Sequence, residues 1–314
     1  MSDPIRTIVA GVSKTDTDDP TLVAAVELAR WTGAKLHLVH TFDLPPVFTG
    51  MEPGYVAGEW ATFFTDDGRE RLEAAVRALA PGVESACTAV PGPSASAILQ
   101  VAEEARADLL VVGAARTGRI AGAFLGTTAQ RVLRGAEAPV LVVRRAVRRP
   151  LERVLMATDL SELAGAVHRR GAETVEAVFG APAAVRALHV AAFPHVGYPV
   201  PREAVEAGTR DALDRFLAKL PRALHPVTPV VRIGGAADRI VAEAESWDAD
   251  LLVVGTQARG WGERLLLGSV AEAAVRDAPC NVLAIPPAAV AMEAGAAAQE
   301  AVGEGAPPHQ PAPA

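Results

Sequence analysis

One seven-residue stretch occurs twice in this chain and fixes how the rest can fold. Ala107-Asp108-Leu109-Leu110-Val111-Val112-Gly113 recurs unchanged as Ala249-Asp250-Leu251-Leu252-Val253-Val254-Gly255, 142 residues later (249 minus 107). An apolar run with an acid before it and a glycine after it reads as a strand buried on both faces that ends in a tight turn. Such a strand needs helices on both sides, which is an α/β architecture.

The repeat extends well beyond the strand. Gly126-Thr127-Thr128-Ala129-Gln130-Arg131-Val132-Leu133-Arg134 corresponds to Gly268-Ser269-Val270-Ala271-Glu272-Ala273-Ala274-Val275-Arg276 at the same offset, and Val140–Val143 corresponds to Val282–Ile285. Solenoid repeats are far shorter than this, so the unit is a duplicated domain. A length of 314 residues fits two domains, each able to bury a core. The expected organisation is a first domain over 1–146, a second over 150–287 and an Ala/Gly/Pro-rich tail over 288–314, whose composition predicts disorder.

Within each half, strand and helix patterns alternate. Strands are expected at Thr7–Val12, Lys35–His40, Ser85–Val90, the repeated stretch and Val140–Val143, with helices opening near Pro20, after Tyr55, near Ser94 and after Gly126. The second half reruns the order from Val154–Thr158 through Val185–Val190, Val227–Val231 and the second repeated stretch to Val282–Ile285. This alternation implies parallel sheets with right-handed crossovers. Pro229 inside the third strand of the second half places that strand at a sheet edge.

Charge and composition narrow the function classes. A formal charge of −7 argues against general binding to nucleic acid or anionic membranes. The absence of a bilayer-length apolar run or a signal-like N-terminus predicts a cytoplasmic protein. Cys87 and Cys280 read as small core residues. Arg144-Arg145-Ala146-Val147-Arg148-Arg149-Pro150 reads as a solvated basic linker. His37 and His40 point to opposite faces of one strand and do not form a metal pair, and His189 reads as a core or rim histidine. Gly11-Val12-Ser13-Lys14-Thr15 lacks the glycine and spacing of a phosphate-binding P-loop. No serine, histidine and acid constellation follows from spacing.

Asp159 after a first strand, Gly255 after a fourth, Gly268-Ser269 beyond the intervening loop and a Val/Leu-rich fifth strand together resemble the universal stress protein family. The resemblance covers nearly everything from Arg6 to Pro286 and points to a tandem member. It implies two Rossmann-like domains of the adenine nucleotide alpha hydrolase-like class, each a five-stranded parallel sheet in order 3-2-1-4-5 with helices on both faces. It also implies an intramolecular pseudo-dimer through the two fifth strands, with a homodimer as a further assembly. In such a sheet, ligands sit where the strand order reverses, between the first and fourth strands. The nucleotide-binding branch of the family places ATP there, with Mg2+ accompanying it. Adenine would lie near Asp159 and Val190, and the phosphates near Gly255, Gly268 and Ser269; Gly113, Gly126 and Thr127 are the first-half equivalents.

Three positions depart from the pattern. Arg116 and Ala258 stand where the motif has its second glycine, and Ser13 stands where the first half should carry its carboxylate. Gly260 and Gly262 offer flexibility near Ala258. The structural alternatives are a simple strand end at Gly113 and Gly255, helix entry at Gly126 and Gly268 with Thr127 or Ser269 as a capping hydroxyl, and a helix cap for Asp159. Phe48 and Tyr55, like Phe193 and Tyr198, lie in loops expected either to cover part of the crevice or to pack on their own domain. The function expected is stress-associated adenine-nucleotide binding, mainly in the second half, by a sensor or regulator with at most slow ATP hydrolysis. The alternative is a nucleotide-free scaffold for protein partners.

Overall fold

The computed structural model describes residues 3–43, 55–114, 125–192, 201–220, 226–257 and 267–290. The first half runs β1 (Thr7–Val12), α1 (Pro20–Thr32), β2 (Lys35–Phe42), α2 (Tyr55–Leu79), β3 (Ser85–Pro91), α3 (Ser94–Ala105), β4 (Leu109–Gly113), α4 (Thr127–Gly135) and β5 (Val140–Val143). The second half runs β6 (Arg153–Thr158), α5 (Ala164–Phe179), β7 (Ala184–Ala191), α6 (Arg202–Leu217), β8 (Val227–Ile233), α7 (Ala236–Ser246), β9 (Leu251–Gly255), α8 (Ser269–Asp277) and β10 (Asn281–Ile285).

Each half has the expected 3-2-1-4-5 order, and the two do not remain separate sheets. They form one ten-stranded sheet, β3-β2-β1-β4-β5-β10-β9-β6-β7-β8. All pairs inside a half are parallel, and the β5–β10 seam alone is antiparallel. Leu141 lies opposite Leu283 across this seam, and the two are equivalent positions of the repeat. A local two-fold axis therefore passes between them, as in an isologous dimer built from one chain. Gln130 donates to its own equivalent, Glu272, at 3.2 Å on one face of the sheet. On the other face, Trp31 of α1 meets Phe179 of α5 edge-on, with ring centroids 6.3 Å apart.

The repeated strands β4 and β9 are buried at every residue except their terminal glycines. Their apolar side chains feed two cores, one on each face. Leu22, Val26, Leu28, Leu72, Val76, Val167, Val175 and Val178 pack on the first face. Ile98, Val132, Leu133, Ile240, Ala244, Ala274 and Val275 pack on the second. The acid that opens each repeated stretch is structural. Asp108 Oδ2 accepts from the Arg6 and Thr7 N–H groups, and Asp250 Oδ2 accepts from those of Glu152 and Arg153, so each carboxylate pins the first strand to the fourth. Pro229 lies in β8 at the sheet edge, as expected.

Two expectations are corrected. The basic run after β5 is a clasp between the halves, not a solvated linker. Arg144 donates to the carbonyls of Val275 and Arg276 at the end of α8, and Arg145 donates to the Ala249 carbonyl. Arg145 and Arg148 pair with buried Asp250, and Arg149 reaches back to the Trp31 carbonyl. Three of these guanidiniums find carbonyls and a carboxylate of the folded second half and the fourth a carbonyl of the first, which no local pattern announces. Secondly, the region expected to be disordered from residue 288 begins with packed chain: residues 287–290 are helical, and Ala289 and Val290 are buried. Residues 291–314 lie outside the described residues.

Buried Asn281 closes the seam, because its Oδ1 accepts from the N–H groups of both Arg144 and Arg145 at 2.8 and 3.0 Å. Asn281→Ala leaves two part-buried donors without this acceptor, and the expected loss is about 2 kcal/mol in urea unfolding.

Candidate functional site

The ladder between first and fourth strands comes apart at the carboxyl end in both halves. β1 and β4 pair from Ile8↔Leu109 to Gly11↔Val112, four positions. β6 and β9 pair only from Val154↔Leu251 to Met156↔Val253, three positions. Meanwhile β6 stays paired with β7 as far as Thr158↔His189, and β9 with β10 as far as Gly255↔Ile285. The sheet is therefore split between the ends of β6 and β9. This split is the switch-point crevice of an open parallel sheet.

The residues expected around the second crevice come together there. Asp159 directly follows β6, Val190 lies near the end of adjacent β7, and Gly255 ends β9. The Gly268 N–H donates to the Thr256 carbonyl at 2.8 Å, which ties the entrance of α8 to the end of β9. Ser269 is then the first helical residue of α8. In the first half, Gly113 ends β4, Gly126 precedes α4 and Thr127 opens it. Neither α4 nor α8 has a side-chain cap hydrogen bond, and Gly126 and Gly268 occupy the N-cap position. The expected capping role of Thr127 or Ser269 is thus corrected: both sit one residue too late. The uncapped N–H groups and the helix dipole favour an anion at each entrance.

The strand-end glycines have a packing reason. A Cβ on Gly113 would stand 2.5 Å from Thr21 Oγ1, and one on Gly255 would stand 3.3 Å from both methyls of Val167. Each glycine lets the helix after the first strand lie close against the fourth. Gly11 is likewise a packing residue inside β1, with Ile98 where its side chain would be.

The two crevices differ in their carboxylates. Ser13 does replace an acid at the end of β1, but a carboxylate still reaches it from six residues downstream. Asp19 is the N-cap of α1 and is 1% exposed. Its Oδ2 accepts from Ser13 N–H, Ser13 Oγ–H and Lys14 N–H, and its Oδ1 from Thr21 and Leu22 N–H. Burial alone would raise its pKa, but these hydrogen bonds outweigh burial and hold it below the usual carboxylate value. This carboxylate has no capacity left for a ligand.

Asp159 is the opposite case. Its Oδ1 accepts from the Ser161 N–H at 3.0 Å, and its Oδ2 is buried without a partner. It does not cap α5, whose N-cap is Leu163. Next to it, His168 of α5 is 2% exposed and its Nε2 also has no partner. Burial pushes the His168 pKa down to about 4, against the weaker upward pull of the Ala157 carbonyl and Asp159. His189 Nδ1 pairs with the Thr158 carbonyl at 2.8 Å and His40 Nδ1 with the Val12 carbonyl at 3.2 Å, so both are rim histidines that steady the first strand.

Sequence reasoning missed Asp19 and His168. Asp19 before Pro20 carried a legible signal, since an acid followed by proline is a helix entrance. His168 carried none, because a histidine in an apolar helix stripe has no spacing signature. Arg116, Ala258, Gly260, Gly262, Phe48, Phe193 and Tyr198 lie outside the described residues, as does the side chain of Tyr55. Among the described residues, no three His, Cys, Asp or Glu side chains are grouped to hold a metal ion. No helix there is long and apolar enough to cross a membrane.

Comparison with known proteins matches this geometry to one family. The profile of the universal stress protein family fits the chain twice, over residues 4–144 and 150–286. A universal stress protein of Thermus aquaticus is 33% identical over 147 residues, covering 44% of this chain and 98% of that protein. One from Mycobacterium tuberculosis H37Rv is 27% identical over 279 residues, covering 84% of this chain and 91% of its own. Among solved structures, a universal stress protein of Pseudomonas aeruginosa UCBPP-PA14 superposes with a TM-score of 0.65 at 19% identity, over 94% of this chain and 98% of that one.

Removing the saturated carboxylate exposes five donors at once, so Asp19→Ala is expected to destabilise the chain by about 2–3 kcal/mol in chemical unfolding. His168 gives a pH signature. Its folded pKa of about 4 lies below the ordinary 6.5, so the unfolded chain takes up the proton first, and stability present above pH 6.5 is lost as pH falls toward 4. Between pH 7 and 4 the protein should lose roughly 3 kcal/mol more than a His168→Leu variant, read from unfolding midpoints across pH.

Proposed function

The chain belongs to the universal stress protein family, and from that premise we propose that it binds an adenine nucleotide in the crevice of its second half. The observation that carries this reading is the buried, unpartnered Oδ2 of Asp159, beside a helix entrance with no side-chain cap. A desolvated carboxylate oxygen without a donor is unfavourable by about 1–3 kcal/mol or more, and a ribose hydroxyl or an adenine amino group supplies the missing donor. The uncapped start of α8, with Ser269 in its first turn, suits a phosphate. Val190 offers an apolar contact for the base.

ATP is the nucleotide favoured, with Mg2+ brought in by its phosphates, since the described residues offer no metal cluster of their own. A sensor or regulator in the cytoplasm, linking nucleotide level to stress through a protein partner, is the role we assign. The first half is assigned a supporting role, because Asp19 already satisfies its carboxylate five times over.

The test is thermal unfolding of nucleotide-stripped protein with ATP and magnesium. Ligand at about one hundred times its dissociation constant should add about 2.7 kcal/mol. Asp159→Ala should abolish the gain. Asp19→Ala should lower the midpoint but keep the gain. No upward shift at millimolar ATP would favour the nucleotide-free scaffold, to which Arg116 and Ala258 in the motif positions also point.

A further inference from the structure

β8 ends the ten-stranded sheet, so one side of its backbone faces no neighbouring strand. Successive residues of a strand turn their N–H and C=O groups to alternate sides. The Gly234 N–H donates to the Ala191 carbonyl of β7 at 3.0 Å, which turns Gly234 inward and, in steps of two residues, Arg232, Val230 and Thr228 with it. Val227, Pro229, Val231 and Ile233 therefore direct their backbone groups outward, along the free edge.

Three successive outward carbonyls of this edge are already occupied, each by an arginine. Arg210 of α6 donates from Nη1 to the Pro229 carbonyl at 2.6 Å. Arg232 donates from Nη1 to the Val231 carbonyl at 3.0 Å. Arg239 of α7 donates from Nε to the Ile233 carbonyl at 3.1 Å. Two of the guanidiniums are also held by acids: Arg232 Nη2 meets buried Glu243 at 2.6 Å, and Arg210 Nε lies 3.9 Å from Asp214. Pro229, in turn, has no N–H to offer at its outward position.

These caps are not part of the repeat. β3 and β8 correspond at an offset of 142 residues, as do α3 and α7, which place Ile98 and Ile240 in the same core. At that offset Val90 stands for Arg232, Ala97 for Arg239 and Cys87 for Pro229. The second half has acquired the arginines and the proline at its outer edge.

We propose that Arg210, Arg232 and Arg239 close the β8 edge against pairing with β8 of a second copy of this chain. The fold itself shows what two like edges do when both are open, since β5 and β10 pair antiparallel about a local two-fold axis. A copy adding at β8 has to draw the guanidiniums off their carbonyls. Symmetry then sets the same positive charges of the partner against them. The closure holds the sheet at ten strands and is independent of the nucleotide site.

The test compares the parent chain with a triple variant, Arg210→Met, Pro229→Val and Arg239→Met, by sedimentation velocity and amide hydrogen exchange across protein concentration. Arg232 stays in place because it partners buried Glu243. The triple variant should shift toward a dimer as concentration rises, with the outward Val231 N–H gaining protection in step. In the parent, protection of that N–H should not change with concentration. A variant that keeps charge and donors, Arg210→Lys with Arg239→Lys, should sediment like the parent. Circular dichroism checks each fold, and should the proline replacement disturb it, Arg210→Met with Arg239→Met carries the test with the same shift expected. Three results overturn the proposal: a folded Met variant that sediments like the parent at every concentration, association that leaves the Val231 N–H unprotected, or concentration-dependent protection of that N–H in the parent.

Discussion

Everything in this protein hangs on the antiparallel seam between β5 and β10. Each half taken alone would end in a short, buried strand with unpaired backbone groups, an edge that proteins cover or blunt. Pairing the two edges satisfies both and merges two five-stranded sheets into one of ten. Leu141 facing Leu283 puts the local axis at the seam, and Gln130 accordingly meets its own equivalent, Glu272, across it. The arginine clasp from Arg144 to Arg149 is the departure from that symmetry. It exists because the covalent connection runs one way, from the first half to the second, and its guanidiniums meet carbonyls and a carboxylate of the second half and, at Arg149, a carbonyl of the first.

Duplication left the two halves alike in backbone and different in polar satisfaction. In the first, a single carboxylate gathers the loop after β1 and caps α1, and both of its oxygens have donors. In the second, the acid moved to the strand end, the ladder opened one position earlier, and two polar atoms, Asp159 Oδ2 and His168 Nε2, were left buried without partners. Unsatisfied polar groups are unfavourable for folding and are retained where something else satisfies them.

The strand and helix order was legible because it rests on local pattern. The heptapeptide at Ala107 and Ala249 had to be an interior strand, Pro229 had to lie at an edge, and Gly33 ends α1 in the left-handed region with φ of 72°. The crevice was legible as a place, since strand order and the positions of Asp159, Gly255 and Gly268 follow from the repeat and the family resemblance. What each residue does there was not. Gly113 and Gly255 owe their missing side chains at least in part to Thr21 and Val167, residues distant in sequence. Thr127 and Ser269 sit inside their helices rather than at the cap, a difference of one residue that only backbone geometry settles.

By itself, then, the sequence determined the duplication, the α/β class and the order of elements along each half, because periodicity and spacing act over a few residues; the strand order and the switch point came through the family resemblance that the motif residues carry. The tertiary structure alone decided that Asp19 is saturated while Asp159 is not, and that the basic run clasps the second half. These depend on which groups the fold brings within hydrogen-bonding or van der Waals distance. Such distances are properties of packing between segments far apart in the chain.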